Sequence, residues 1–268
     1  MLTRLREWLF HLSGSDRPTR ILIFGDSHTV AISQALAYRE PGTEPILPKI
    51  ELHRLLKLKN GRDLGDTSLE QFCRKISRLR ETDCVFSVIG GNQYAVASTV
   101  RARPYFDVLA NGNIGELANS DDTIIPHRAL ESYIQSGVFN SDGPVLKEIR
   151  AATKARVFHL TPPPPKEDNS FLSRYHESRF AAEGLGELEP HSPQLRMTCW
   201  KMQRDSLSAF CTEIGVELVP PPATTVCETG FLERHCYGKD VTHANRRYGE
   251  QLLRQIAEIS LSSARLQE

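Results

Sequence analysis

The stretch of sequence that decides the fold is Ile21-Leu22-Ile23-Phe24-Gly25-Asp26-Ser27-His28-Thr29. Its apolar run has the composition of a short buried strand, and a helical pattern follows it. In open α/β sheets, ligand sites lie at the carboxyl ends of the strands, which is where this pattern puts the Ser27 hydroxyl. Ser27 is therefore a candidate nucleophile, although an Asp-Ser pair before a helix is also a common N-cap.

A histidine with a neighbouring acid lies near the other end of the chain, in Asp240-Val241-Thr242-His243. It opens a helical pattern that runs through Tyr248, Leu252 and Ile256. Because residues three apart share one face of a helical turn, Asp240 can orient the imidazole while its other nitrogen reaches a serine hydroxyl. The pair supplies a candidate base and an acid that orients it.

A second apolar run, Val85-Phe86-Ser87-Val88-Ile89, ends in Gly90-Gly91-Asn92-Gln93. Glycines allow the backbone to approach a ligand closely, and a side-chain amide at a strand end is a suitable donor to a developing oxyanion. Asn92 is therefore a candidate oxyanion donor.

With these three blocks in this order, the chain resembles the SGNH (GDSL-type) hydrolase superfamily. The blocks are Gly25-Asp26-Ser27, Gly90-Gly91-Asn92 and Asp240-x-x-His243. Each is a weak signal alone, but their order and their places at predicted strand ends agree with the family. The resemblance implies that Ser27 is the nucleophile, His243 the general base and Asp240 its orienting acid.

The resemblance also implies an oxyanion hole formed by the Ser27 amide, the Asn92 side chain and a glycine after the second strand. Gly61 and Gly65, in Asn60-Gly61-Arg62-Asp63-Leu64-Gly65, both qualify for the last position. Gly61 is slightly preferred because it follows Asn60, and the choice between the two stays open.

Two departures bear on the substrate. The family often has an aspartate after the asparagine of its third block, whereas this chain has Gln93. Gly-Asp-Ser followed by His28 is more similar to SGNH domains of sugar O-acyltransferases and to polysaccharide esterases than to secreted lipases. We therefore expect a carbohydrate ester, with His28, Gln93 and Tyr94 as candidate substrate-binding residues. For His28, local helix capping is the simpler explanation.

Strand-like and helix-like patterns alternate along the chain, which favours an α/β fold with a parallel sheet covered on both faces. We expect a three-layer, flavodoxin-like SGNH fold whose five strands have the order 2-1-3-4-5. The predicted strands are Arg20–Phe24, Ile46–Leu52, Cys84–Ile89, Arg156–Leu160 and Val216–Val219. The predicted helices are Thr29–Tyr38, Ser68–Glu81, Arg128–Gly137, Val145–Thr153, Leu195–Ile214 and Ala244–Ile259.

Two long polar stretches, Asn92–Pro126 and Thr161–Pro193, interrupt this alternation. Loops of this length in a compact domain are usually functional or mobile. Both follow the carboxyl ends of predicted strands, so we expect them to form walls over Ser27. Their candidate substrate contacts, for each of which a plain solvated residue is an equally good interpretation, are Tyr94, Arg101, Arg103, Tyr105, Tyr175, His176 and Arg179.

Length fits one domain, and the balanced charge does not favour nucleic acid or an anionic membrane as a partner. The 268 residues suffice for a single SGNH-like domain over residues 20–268, and 33 basic residues balance 33 acidic ones. No apolar stretch approaches the ~20 residues that span a bilayer. Residues 1–19 are interpreted as an amphipathic helix that packs on the domain or a partner, or less favourably on a membrane surface. We therefore expect a cytoplasmic protein.

The six cysteines form no CxxC pair, and four of them, Cys73, Cys84, Cys199 and Cys211, lie in helix-like or strand-like patterns. The pattern indicates reduced cysteines. Cys227 and Cys236 flank a loop before Asp240, so a disulfide, or less favourably a zinc site with His235, is an alternative there.

These observations predict a serine esterase that removes a small acyl group, most simply acetyl, from a carbohydrate without a metal or organic cofactor. An alternative is an O-acyltransferase that passes the same acyl group from serine to a sugar hydroxyl. A third possibility is a binding protein that keeps the fold without turnover.

Overall fold

The computed structural model describes residues 18–38, 49–59, 61–99, 101, 106–109, 123–175 and 189–265. Its centre is a parallel sheet of five strands, which are β1 (Arg20–Gly25), β2 (Lys49–Arg54), β5 (Cys84–Val88), β8 (Arg156–Leu160) and β9 (Glu217–Val219). Their order across the sheet is β2-β1-β5-β8-β9, which is 2-1-3-4-5 when only these strands are counted. The predicted α/β class is confirmed.

Four short strands that the sequence did not predict lie outside this sheet. β3 (Lys57–Lys59) and β4 (Arg62–Leu64) form an antiparallel hairpin after β2. β6 (Phe106–Leu109) and β7 (Thr123–Pro126) pair in parallel inside the stretch expected to be a loop. They change the strand numbering but leave the central sheet as expected.

Eight α-helices connect the described strands. They are α1 (Thr29–Ala37), α2 (Leu69–Ile76), α3 (Gln93–Ser98), α4 (His127–Gly137), α5 (Gly143–Ala151), α6 (Asn169–Leu172), α7 (Pro193–Glu213) and α8 (Arg246–Arg265). A π-helical turn, Val138–Asp142, joins α4 directly to α5. Helices α3 and α6 lie in the two stretches that were expected to be irregular.

Successive residues of β1 face opposite layers, as the two-residue period of a strand requires. Ile21 and Ile23 pack with residues of α1 and α8 on one face of the sheet. Leu22 and Phe24 pack with residues of α2, α5 and α7 on the other. Both faces of β1 are fully buried, so the carboxyl end of this strand is a rigid support for the residues that follow it.

The proline-rich segment after β8 is buried, which corrects the expectation of an open loop there. Residues 161–166 are all buried, and the Trp200 indole donates a hydrogen bond to the Pro162 carbonyl over 3.2 Å. Proline has no backbone N–H, so a run of prolines can enter the core without leaving donors unsatisfied. This part of the second stretch is a packed wall of the domain.

Several expectations fall on residues that the structure does not describe. These are the amphipathic helix, of which residues 1–17 are outside the described ranges, and the candidate contacts Arg103, Tyr105, His176 and Arg179. Within the ranges that are described, no helix has the length and apolar character needed to cross a membrane. All six cysteines are free, so the alternative disulfide between Cys227 and Cys236 is absent.

Candidate active site

Ser27 lies half-buried in the short turn between β1 and α1. Gly25, two residues before Ser27, must be glycine because a Cβ at this position would lie 2.7 Å from the Val88 carbonyl oxygen. Helix α1 takes His28 as its N-cap, and no side chain caps it. Capping therefore explains neither Ser27 nor His28, which removes the simplest alternative to a functional role.

Asp240 and His243 form the pair that their spacing predicted. Nδ1 of His243 and Oδ2 of Asp240 are 2.7 Å apart, and the other carboxylate oxygen accepts the backbone N–H groups of His243 and Thr242 at 2.7 and 3.1 Å. A carboxylate can only accept, so Nδ1 carries the proton and the neutral ring has its lone pair on Nε2. That is the tautomer a general base requires.

Electrostatics keep Asp240 ionised. Burial by itself would raise the pKa of this carboxyl, but the hydrogen bonds and charge of His243, together with the charge of Lys166, lower it to about 2. The acid therefore remains an acceptor for His243 Nδ1 throughout the neutral range.

Ser27 and His243 line one small cavity at the carboxyl edge of the sheet, and His28 and Thr161 line it too. Its apolar walls come from helices α1 and α8, from the ends of β5 and β8 and from the proline-rich segment, with Ala31, Leu252, Val88, Leu160 and Pro163 among them. The ring centroids of His28 and His243 are 5.1 Å apart. The structure thus brings together residues that are more than 200 positions apart in the chain.

His28 is held neutral beside the candidate base. Burial, and next the charge of His243, lower the pKa of His28 to about 4, against smaller opposite effects of Asp26 and Asp240. The Asn92 side chain lies next to the same ring. A neutral imidazole here can donate or accept one hydrogen bond without competing with His243 for a proton.

The block Gly90-Gly91-Asn92 forms a tight turn after β5. Gly90 and Gly91 both have positive φ angles, +73° and +92°, which glycine adopts without strain. The Gly90 N–H donates to Oδ2 of Asp26 over 3.2 Å, which ties this turn to the one that carries Ser27. The Asn92 side chain makes no capping bond to α3, so it is not committed to that helix.

The two candidate glycines after β2 have different surroundings. Gly61 lies at the tip of the β3–β4 hairpin, and nothing lies within 4 Å of the position of a Cβ. Gly65 packs on the carboxyl end of β2, where a Cβ would lie 2.2 Å from the Leu55 carbonyl oxygen. Leu55 in turn donates its N–H to the Gly25 carbonyl over 2.7 Å, so Gly65 is the one adjacent to the end of β1.

Tyr94 does not have the exposure that a substrate contact needs. Its side chain is 3% exposed and packs in a cluster with residues of α4 and α7. The prediction that Tyr94 binds substrate is therefore corrected, because its place in helix α3 points it into the core. Gln93 is also constrained, since its Nε2 donates to Oδ2 of Asp142 over 2.8 Å.

Sequence reasoning missed two buried charged residues next to this site. Lys166, 1% exposed, donates to the carbonyl oxygens of Gly238 and Asp240. Asp142, 5% exposed, accepts from Gly91 and Gln93. Neither belongs to a motif, because each acts through contacts with residues at least 49 positions away. Burying an ionised side chain costs free energy unless the charge is paired or hydrogen-bonded. The burial of Lys166 and Asp142 is therefore the signal that draws attention to them.

The central sheet has the strand order that the sequence analysis expected. Solved structures with a similar fold include the periplasmic domain of a lipopolysaccharide acetyltransferase from Salmonella ser. Paratyphi A, with 13% identity over 97% of this chain and 89% of that one and a TM-score of 0.45. A carbohydrate acetylesterase from Sinorhizobium meliloti has 13% identity over 91% and 99% of the two chains and a TM-score of 0.44. An extracellular lipase from Streptomyces rimosus has 12% identity over 89% and 99%, with a TM-score of 0.45. No family model and no curated protein matches the sequence.

Proposed function

We propose that the chain is a serine esterase that removes a small acyl group from a carbohydrate. The observation that carries the proposal is the 2.7 Å contact between His243 Nδ1 and Asp240 Oδ2, on a histidine that lines the same cavity as Ser27. A serine and a base that share one cavity, with an acid that orients the base, are the parts of a nucleophilic triad.

In the first half of the reaction, Ser27 Oγ attacks the ester carbonyl and its proton passes to Nε2 of His243. The C–O bond to the sugar then breaks, and the sugar oxygen leaves with that proton. In the second half, His243 takes a proton from water, the resulting hydroxide attacks the acyl-serine, and Ser27 leaves with the proton. Asp240 holds the imidazole in place and stabilises its protonated form.

The oxyanion would be held by the Ser27 amide, the Gly65 amide and the Asn92 side chain. Gly65 replaces Gly61 in the proposal because it packs on the end of β2, next to the strand that carries Ser27. The positive φ angle of Gly65, +98°, also suits a backbone that presents its N–H to a ligand.

The small cavity beside Ser27 supports a short acyl group. Most of its lining is apolar, which suits the methyl group of an acetyl ester. The choice of a carbohydrate as the alcohol rests on the His28 position after Gly-Asp-Ser in the sequence.

The decisive experiment combines labelling with turnover. We expect a fluorophosphonate probe to label the protein at Ser27, and we expect Ser27→Ala to lose both labelling and hydrolysis of p-nitrophenyl acetate. Ser77→Ala, at an exposed serine that caps the end of α2, is the matched control and should keep both. Retained turnover in Ser27→Ala would contradict the covalent mechanism, and an unlabelled, inactive wild type would favour a binding protein.

A screen of acetylated sugars, with and without a second sugar as acceptor, then separates the two enzyme functions. Free acetate in both reactions supports the esterase. Acetyl transfer to the acceptor hydroxyl would instead identify an O-acyltransferase that uses the same acyl-serine.

A further inference from the structure

Asp142 ends the π-helical turn between α4 and α5, and its carboxylate reaches the turn that carries Asn92. Its Oδ2 accepts two hydrogen bonds, from the Gly91 backbone N–H over 3.3 Å and from Gln93 Nε2 over 2.8 Å. Gly91 and Gln93 are the two neighbours of Asn92 in the chain. One carboxylate oxygen of a buried aspartate therefore binds the backbone on one side of the candidate oxyanion donor and a side chain on the other.

Two glycines leave the space that the Asp142–Gln93 contact occupies. A Cβ on Gly90 would lie 2.1 to 2.2 Å from the carboxylate atoms of Asp142, so only glycine leaves room for the acid. A Cβ on Gly137, at the end of α4, would lie 2.8 Å from Cγ of Gln93. The Gln93 side chain is thus packed against Gly137 while its amide reaches Asp142. π-helical turns within α-helices occur often at functional sites, where they redirect a side chain.

The buried carboxylate has a cost. Burial raises the pKa of Asp142 to about 6, against the lowering effect of the hydrogen bonds from Gln93 and Gly91; nearby Asp26 raises it further and Lys57 lowers it. An apolar residue would fill the same space without this penalty. The Asp142 carboxylate is buried despite this desolvation cost, and its hydrogen bonds go to Gly91 and Gln93. This points to a role in the turn that carries Asn92.

We propose that Asp142 is a positioning residue, with Gln93 as its partner, that fixes Asn92 in the orientation needed to donate to the oxyanion. This inference rests on the proposed esterase function. It also explains the glutamine at the position where the SGNH family often has aspartate: an acid there would face Asp142 and repel it, whereas the glutamine amide donates to it. Gln93 then acts through Asn92 and not as a substrate contact.

The test uses four variants of the full chain and measures kcat and KM for p-nitrophenyl acetate. Asp142→Ala removes the acceptor, so we expect kcat to fall roughly 10- to 100-fold, as for a misplaced catalytic group, with little change in KM. Asp142→Asn keeps an acceptor oxygen and should retain most of the activity. Gln93→Glu sets two carboxylates against each other and should lose activity, whereas Gln93→Glu combined with Asp142→Asn restores a donor and an acceptor and should recover it.

Asp83→Asn is the matched control for a purely structural loss. Asp83 is 1% exposed and binds Arg20 and Arg80, but it lies at the amino end of β5, on the opposite edge of the sheet. We expect this variant to lower the melting temperature while its kcat stays unchanged. Hydrogen exchange at the Gly91 amide should accelerate in Asp142→Ala and not in Asp83→Asn.

The outcomes separate the two proposals. If the wild type shows no Ser27-dependent turnover, the esterase function is wrong. If the wild type is active and the folded Asp142→Ala variant has an unchanged kcat, with or without a change in KM, the esterase function stands and the positioning role is wrong. Failure of the folded double variant to recover activity would likewise overturn the role of the Asp142–Gln93 pair.

Discussion

At the scale of single residues, Lys166 is the unexpected support of the candidate triad. Its ammonium group donates to the Gly238 carbonyl over 3.0 Å and to the Asp240 carbonyl, and it lies 4.8 and 5.2 Å from the ring centroids of Phe171 and Tyr237. These contacts hold the backbone of the loop that precedes His243. Burial raises the pKa of Asp240, but the hydrogen bonds and charge of His243 lower it, and the charge of Lys166 lowers it further.

Replacing Lys166 with methionine removes these hydrogen bonds while it keeps much of the apolar stem. Each buried carbonyl left without a donor costs about 1–3 kcal/mol. We expect Lys166→Met to lower both the melting temperature and kcat, since the Asp240 loop loses its support. Lys147→Met, at an exposed lysine, is the control and should change neither. Equal behaviour of the two variants would show that Lys166 does not support the loop.

Asn92 allows a direct test of the proposed oxyanion hole. Loss of one side-chain donor typically lowers kcat by about 10²–10³. We expect Asn92→Ala to show a loss of this size with little change in KM, because the donor serves the transition state more than the ground state. Steady-state kinetics on p-nitrophenyl acetate measures both constants, and an effect on KM alone would make Asn92 a substrate-binding residue instead.

At the scale of the elements, the crossing of α1 and α8 controls the distance between the two halves of the site. Helix α1 begins two residues after Ser27, and α8 begins three residues after His243. The helices approach closely at Gly249, where a Cβ would lie 2.1 Å from the Ala31 carbonyl oxygen. Backbone sets this separation, so a side chain at Gly249 cannot be accommodated by a rotamer change.

Gly249→Ala therefore tests whether helix spacing aligns the site. Alanine favours a helix over glycine by about 1 kcal/mol, which alone would stabilise the protein. We expect the clash to dominate, so that the melting temperature and kcat both fall as the helices separate. Ser262→Ala, at an exposed position of α8, gains helix propensity without a clash and should not lose either. A stabilised, fully active Gly249→Ala would contradict this account.

At the scale of the whole molecule, buried histidines link stability to pH. Burial lowers the pKa of both His28 and His159 from 6.5 to about 4. The unfolded chain binds protons at these residues between pH 6.5 and 4 and the folded protein does not, so the stability they provide is present above pH 6.5 and is lost as pH falls towards 4. Asp142 acts in the opposite direction, because its raised pKa, about 6, favours the folded state as pH falls from 6 towards 4.

Two histidines outweigh one acid, so we expect the melting temperature to decrease between pH 7 and pH 4. His159→Leu removes one of the two histidines that bind a proton in the unfolded chain but not in the folded protein. It should therefore reduce the dependence of the melting temperature on pH. His127→Gln, at a histidine whose side chain is 43% exposed, is the matched control. Scanning calorimetry across this range provides the measurement, and a melting temperature independent of pH would be contrary to the expectation.

The sequence by itself determined the layers of the fold and the chemistry-bearing blocks. Strand β8 has the bounds that its apolar run predicted. Asp240 contacts His243 three residues along the chain, as expected, but in a bend before α8 and not in a helical turn. Such features depend on the period of a strand or helix and on residues that are close in the sequence. Both can be read from the sequence alone. The shared carboxyl edge followed from the alternation of strands and helices, because parallel strands end on the same side.

Only the tertiary structure decided what surrounds those blocks. It buried Tyr94, packed the prolines after β8 into the core, and brought Asp142 and Lys166 to the turns that carry Asn92 and Asp240. The contacts of Asp142 and Lys166 join residues 49 to 74 positions apart, for which no local period exists. The physical reason is that burial and pairing of a side chain are set by the elements that pack against it, and those elements come from distant parts of the chain.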